Sequence, residues 1–279
     1  MERITEALEK ARQERQIRQG DDTAAPQGTT RQDAGETGVS QTQTISVDDA
    51  LLRENRIVTG LEPGPFTEAN NMLRTQVLQR FKENNWNVLA VTSPGEGEGK
   101  TLTAINLAIS IAREVDYTVL LVDANLRHPW MLEHFGLEHR RGLSDYLTDD
   151  IPIADLLVKP SRVEHLVLLP GGRPLTNSAE MLNSPKMAQL VADMKSRYQS
   201  RIIIFDLPPV LSSADALAFS PYVDAALLVI EEGSTQKQDV ERAVELLETT
   251  NIVGTVLNKA EKKSALAKPR HVSIVLPSQ

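Results

Sequence analysis

The apolar run NVLAVTS (residues 87–93) passes straight into PGEGEGKT (94–101), which passes straight into TLTAINLAISIAREV (101–115). The first segment reads as a buried strand and the last as a helix. Few folds accept that much flexible backbone between two apolar elements. A plain solvent loop would need no lysine and threonine at the head of the helix. A cradle for a phosphate group would need both.

The rest of the chain repeats the alternation. Strands are expected over TVLLVDA (118–124), over HLVLLPGG (165–172) and RIIIFDLPP (201–209), each running into a loop, and over AALLVIEEG (225–233) and IVGTVLNKA (252–260). A helix is expected over SPKMAQLVADMKSRY (184–198), capped by Ser184 with Pro185 at its first position. Another is expected over TQKQDVERAVELLETT (235–250), and GLSDYLTDDIPIADLLV (142–158) reads as short helices around a loop. Apolar strands alternating with amphipathic helices predict an α/β fold, a mostly parallel sheet with helices on both faces.

Four segments are expected. Residues 1–18 form an amphipathic N-terminal helix with Ile4, Leu8 and Ala11 on one side, suited to docking on a partner. Residues 19–46 are polar and poor in aromatics, and read as a flexible linker. Residues 47–262 hold the nucleotide-binding domain, and 263–279 a basic C-terminal tail. The absence of cysteine excludes disulfides and thiol chemistry, and the five histidines lack zinc-site spacing. A formal net charge of −8 argues against broad nucleic-acid binding. The charged N-terminus lacks an apolar core, so no signal peptide is expected. No apolar run is long enough for a membrane-spanning helix.

The phosphate site is built from the loop outward. Gly95, Gly97 and Gly99 allow backbone angles that other residues resist and clear side chains from the path of a phosphate. The candidate nucleotide-binding set is Gly95, Glu96, Gly97, Glu98, Gly99, Lys100, Thr101 and Leu102. Lys100 places a point charge beside the β- and γ-phosphates, and Thr101 offers a hydroxyl to magnesium. The full Walker pattern has a glycine where this chain has Pro94. Asp206 ends the apolar run IIIF, and Asp123 ends VLLV. Ligands of such sheets lie beyond the carboxyl ends of the strands, where both aspartates can face a metal ion and its phosphates. Thr101, Asp123 and Asp206 are therefore the candidate metal residues, and Lys100, Asp123, Arg127 and Asp206 the candidate catalytic ones. Arg127 can pair with a phosphate or with a neighbouring subunit. Asp215 either touches the metal's water shell or caps a helix. Asn258, at the end of the last strand, can read an adenine edge through its donor and acceptor pair.

Taken together, TSPGEGEGKTLTAINLA, VLLVDANLRHP, IIIFDLPPVLSSADA and VGTVLNK resemble the bacterial tyrosine autokinases of exopolysaccharide and capsule systems, within the MinD/ParA-like group of P-loop ATPases. The resemblance covers roughly residues 65–262, and the N-terminal ERITEALEKAR resembles the subgroup beside exosortase-linked polysaccharide operons. It implies ATP and ADP as ligands, Mg2+ as the metal, and a protein substrate. It also implies assembly of copies of the chain, and activation by a membrane-anchored polysaccharide co-polymerase of the chain-length-determinant kind. Localisation would then be cytoplasmic, and peripheral at the inner membrane through that partner.

Lys100 and Thr101 match the family's first motif, and Asp206 with Pro209 its third. Asp123 and Arg127 match the ends of its second motif, but the middle aspartate is here Asn125. The family's ring-forming glutamate and two arginines are matched by Glu68 and Arg74, with Asn71 between them. The family's C-terminal tyrosine cluster is missing, since the tyrosines stand at 117, 146, 198 and 222. An asparagine at 125 supplies neither a base nor a negative charge. Two alternatives to a tyrosine kinase follow: a MinD/ParA-like ATPase switch, or a catalytically reduced nucleotide-binding regulatory subunit.

Overall fold

A computed structural model describes residues 42–57, 64–197 and 201–260. Eight strands form one sheet: β1 Gln43–Ile45, β2 Val88–Thr92, β3 Thr118–Asp123, β4 Val158–Pro160, β5 Leu166–Leu169, β6 Arg201–Asp206, β7 Ala225–Glu231 and β8 Asn251–Asn258. Their order is β1-β4-β5-β3-β6-β2-β7-β8. Every neighbouring pair is parallel except β4 with β5. The expected α/β architecture is the observed one.

The central strands are apolar throughout because both faces are covered. Side chains alternate between two cores. Leu89 and Val91, Val119 and Leu121, and Ile202 and Ile204 enter one. Val88 and Ala90, Leu120 and Val122, and Ile203 and Phe205 enter the other. The first core is roofed by α2 (Pro65–Asn84) and α3 (Lys100–Ala112), which follows α1 (Asp49–Glu54) and α2 in the chain. Helix α3 has ten consecutive buried residues, Thr103 to Ala112, because it lies between the sheet and α2. The second core is covered by α8 (Pro185–Arg197), α9 (Asp215–Phe219) and α10 (Lys237–Leu246). Four short helices lie between β3 and α8: α4 Met131–His134, α5 Leu143–Asp149, α6 Ile153–Leu156 and α7 Ser178–Leu182. The Ser184 cap is as expected, with its Oγ accepting from Met187 N–H at 3.2 Å.

Two elements depart from expectation. Residues 43–45, assigned to the flexible linker, form the edge strand β1 in parallel register with Val158–Pro160. Ile45 and Val47 are both buried, and this apolar spacing of two holds the strand where the polar surroundings suggested none. Helix α2 was not expected at all. Its composition is mostly polar, and only a thin stripe of Asn70, Leu73, Val77 and Phe81 is buried. Pro65 at its first position and Asn85 in the left-handed region at its end, φ 56°, give it ordinary boundaries. The expected helix over 1–18, the linker residues 19–41 and the tail 263–279 lie outside the described residues.

Candidate nucleotide-binding and phosphoryl-transfer site

Strand order brings the carboxyl ends of β2, β6 and β3 side by side. Val91 pairs with Asp206, and Asp206 pairs with Asp123. The two aspartates therefore stand on adjacent strands at one register and point to the same face. The loop between β2 and α3 arches over this edge. Gly97 and Gly99 have φ of 76° and 90°, in the region that favours glycine. The first bond of α3 is Thr103 N–H to Gly99 O at 2.9 Å. The N–H groups of Lys100, Thr101 and Leu102 precede it and have no acceptor within the helix. A helix start with free N–H groups and its positive dipole end is suited to an anion.

Three side chains meet below the loop. Thr101 Oγ1 donates to Asp206 Oδ2 at 2.7 Å. Lys100 Nζ lies 3.0 Å from Thr101 Oγ1 and 3.7 Å from Asp206 Oδ1. Asp206 is 1% exposed, and its Oδ1 has no hydrogen-bond donor. A buried carboxylate oxygen without a donor is costly unless a cation completes it. Thr101 and Asp206 thus offer oxygen ligands, and Lys100 a charge, where a magnesium–phosphate group would sit. Among the described residues no three His, Asp or Glu side chains converge on a metal position. That donor set fits Mg2+ held by one or two protein oxygens together with substrate phosphates.

Asp123 is held differently. Its Oδ2 accepts from the N–H groups of Trp130 and Met131, each at 3.0 Å, and its Oδ1 from Asn125 N–H at 3.2 Å. It therefore orders the start of α4 as well as facing the site. Burial, followed by the neighbouring charge of Asp206, pushes its carboxyl up to about 7. The backbone N–H of Met131, the charge of Lys100 and the N–H of Asn125 oppose the rise. The sign for stability follows from the folded value lying above the ordinary 3.8. Between those values the folded state binds the proton more firmly, so stability falls as pH rises through the window and the loss is complete above about pH 7. Without nucleotide or metal ion, denaturant melts from pH 4.5 to 7.5 should show Asp123→Asn losing less stability with pH than the parent. The two slopes should differ by about 1 kcal/mol per pH unit. Equal slopes would show that Asp123 ionises normally.

The remaining expected residues fall into place unevenly. Arg127 Nε contacts Asp215 Oδ1 at 3.2 Å. Asp215 is fully buried at the start of α9, and its Oδ2 has no partner. Asn258 Nδ2 donates to Glu98 O at 2.8 Å, which ties one of its two amide hydrogens to the loop. Arg74, expected from the resemblance to belong to a ring-forming set, is tied within its own chain to Glu114 at 3.0 Å, and to Asn71 Oδ1 and Ser110 O at 3.3 Å. Tyr117, Tyr146 and Tyr222 are part-buried, and Tyr198 lies outside the described residues. Sequence reading missed the joint between Glu98 and Thr235, because nothing local connects positions 137 residues apart. It also missed a cleft beside Asp123 lined by Trp130, Glu133, His139, Arg140 and Gly171.

Comparison with known proteins agrees with this geometry. A family model described as an AAA domain matches residues 86–261. Tyrosine-protein kinase YwqD of Bacillus subtilis (strain 168) is 33% identical over 217 residues, spanning 74% of this chain and 90% of that protein. The crystal structure of the chimerical protein CapA2B2 superposes with a TM-score of 0.69 at 26% identity, covering 79% of this chain and 94% of that one. The VpsO kinase domain superposes with a TM-score of 0.63 at 31% identity, covering 71% of this chain and 96% of that one. No helix of the described residues is long and apolar enough to cross a membrane. With the AAA domain match across most of the folded region and this extended likeness to a named tyrosine-protein kinase, the chain belongs to the bacterial tyrosine-protein kinases of the P-loop ATPase class.

Proposed function

We propose that this protein is an ATP-dependent protein-tyrosine kinase acting in bacterial exopolysaccharide assembly. The observation that carries the chemistry is the Thr101–Asp206 bond of 2.7 Å with Lys100 beside it, at the open start of α3. The start of α3 and the residues from Gly95 to Leu102 bind the phosphates, and Lys100 meets the β- and γ-oxygens. Thr101 and Asp206 would hold Mg2+, with Asp123 beside Asp206 at the same strand register. When bound, the metal ion neutralises charge building on the phosphate oxygens. Asp123, raised towards neutrality and with one lone-pair direction left on Oδ1, takes the phenolic proton of the acceptor. Asp215 steadies Arg127 for a phosphate, and the Asn258 oxygen faces the base. Tyr117, Tyr146 and Tyr222 are part-buried within this chain, which favours a tyrosine of another protein as the acceptor. A membrane-anchored activator of the chain-length-determinant kind supplies the partner contact.

Incubation with γ-labelled ATP and Mg2+, followed by mass mapping, tests the reading. Label on tyrosine is expected. Release of free phosphate without protein label would favour the MinD/ParA-like switch instead, and binding without turnover the reduced regulatory subunit. Asn125 stands two residues after Asp123, half-buried, where the family motif carries a second carboxylate. Asn125→Asp should therefore raise phosphoryl transfer about 10²-fold, the low end of what a positioned acid–base group contributes. An unchanged single-turnover rate would show that this position is not limiting.

A further inference from the structure

Glu98 poses an electrostatic problem that its sequence neighbours do not solve. It is a carboxylate inside a loop shaped for anions, and it is only 6% exposed. Left to swing, its charge would oppose the phosphates the loop must hold. The structure shows where the charge is kept. Oε2 accepts from Gly95 N–H at 2.9 Å, across the base of the loop. Oε1 accepts from the hydroxyl of Thr235, beyond the end of β7. Thr235 Oγ1 in turn accepts from Glu231 N–H at 2.8 Å, which fixes the hydroxyl's direction towards Glu98. The main-chain oxygen of Glu98 is also held, by Asn258 at the end of β8. One loop residue is thus tied to two different strands. Packing behind it is tight, since a Cβ on Gly99 would lie 2.1 Å from Asn258 Nδ2.

We propose that Glu98 is a positioning residue of the nucleotide site, and that Thr235 is the anchor on which it depends. The pair holds the loop in its phosphate-accepting form before ligand arrives and keeps the Glu98 charge turned towards the protein. Each oxygen of Glu98 already accepts one hydrogen bond from the protein, so the carboxylate serves to hold the loop rather than to meet the reacting atoms. The inference rests on the nucleotide-site reading above. It adds that affinity for the phosphates is set in part by a threonine that belongs to neither the loop nor the two acidic strand ends.

The full-length chain tests this through Thr235→Val, Thr235→Ser and Glu98→Gln, with titration calorimetry against MgADP and steady-state kinetics against MgATP. Thr235→Val should weaken MgADP binding about tenfold, the effect of losing one charge-assisted hydrogen bond. KM for ATP should rise with it, while kcat at saturation stays within twofold. Thr235→Ser keeps the hydroxyl and should bind as the parent does. In a Glu98→Gln background there is no charge to release, so Thr235→Val should then cost less than threefold. Parental MgADP affinity in Thr235→Val would overturn the proposal. So would an equal loss in the Glu98→Gln background, which would mean simple loosening of the fold. Failure of the parent protein itself to bind MgADP would instead overturn the nucleotide-site reading, and the two failures are told apart by that one titration.

Discussion

Lys100→Ala should lower γ-phosphate transfer by about 10²–10³-fold, the loss seen when one preorganised stabiliser of developing charge is removed. The lysine side chain is 13% exposed, and its ammonium sits between Thr101 Oγ1 and Asp206 Oδ1. Its removal has two consequences. The phosphates lose their nearest point charge, and the buried Asp206 loses the cation nearest its donor-free oxygen. Binding should therefore weaken along with turnover, and the rise in melting temperature that MgADP gives the parent should disappear. Lys100→Arg should not rescue it, because a planar guanidinium is wider than an ammonium and presents its donors in a rigid fork. Retention of parental MgADP affinity by Lys100→Ala would remove the loop from the binding site altogether.

Gly142→Ala should be the most damaging single-methyl change for the fold. Its φ of −161° is ordinary extended backbone, so strain is not the cause. The cause is space. A Cβ there would lie 2.0 Å from Pro170 O and 2.5 Å from Gly172 N, and neither is the end of a side chain that can turn aside. The contact is also pinned from both sides. Leu143 N–H donates to Pro170 O at 2.7 Å, Ser144 N–H to Gly171 O at 2.9 Å, and Gly142 N–H to Asp145 Oδ2 at 2.8 Å. Opening this seam should cost about 3 kcal/mol, the upper end of ordinary overpacking. For a domain of this size that lowers the melting temperature by about 10 °C. The damage should reach the site, because Gly171 packs against Asp123; a Cβ on Gly171 would lie 3.2 Å from the Asp123 carboxyl carbon. A melting temperature within 2 °C of the parent would show that the 170–172 backbone moves freely.

The parallel sheet was legible because its strands are buried on both faces. NVLAVTS, TVLLVDA and RIIIF carry no polar side to confuse with an edge, and glycine, aspartate and proline mark where each one stops. The same continuity hid nothing at α3, whose apolar run is as complete as a strand's but too long to be one. Helix α2 was illegible for the opposite reason. A helix that lies on another helix rather than on the sheet buries a thin stripe, and Asn70, Asn71 and Arg74 satisfy themselves on local carbonyls and on Ser110 without an apolar signature.

The site divides along a similar line. Lys100, Thr101, Asp123 and Asp206 could be named from sequence because each sits at a strand end or a helix start, and such positions follow from local pattern alone. Their separate duties could not. Asp206 is bonded by a hydroxyl and left with an open oxygen, while Asp123 accepts three backbone N–H groups and is raised towards neutrality. That difference depends on burial and on the register that sets the two carboxylates beside each other, neither of which a linear pattern carries. The role of Glu98 likewise required Thr235 and Asn258 to arrive from the far half of the chain. Local sequence determined which groups can meet a phosphate, because side-chain type and helix or strand periodicity are properties of neighbouring residues. Only the tertiary structure decided which of those groups is free, which is already bonded and which is charged, because strand order and burial set the partners and the dielectric around each one.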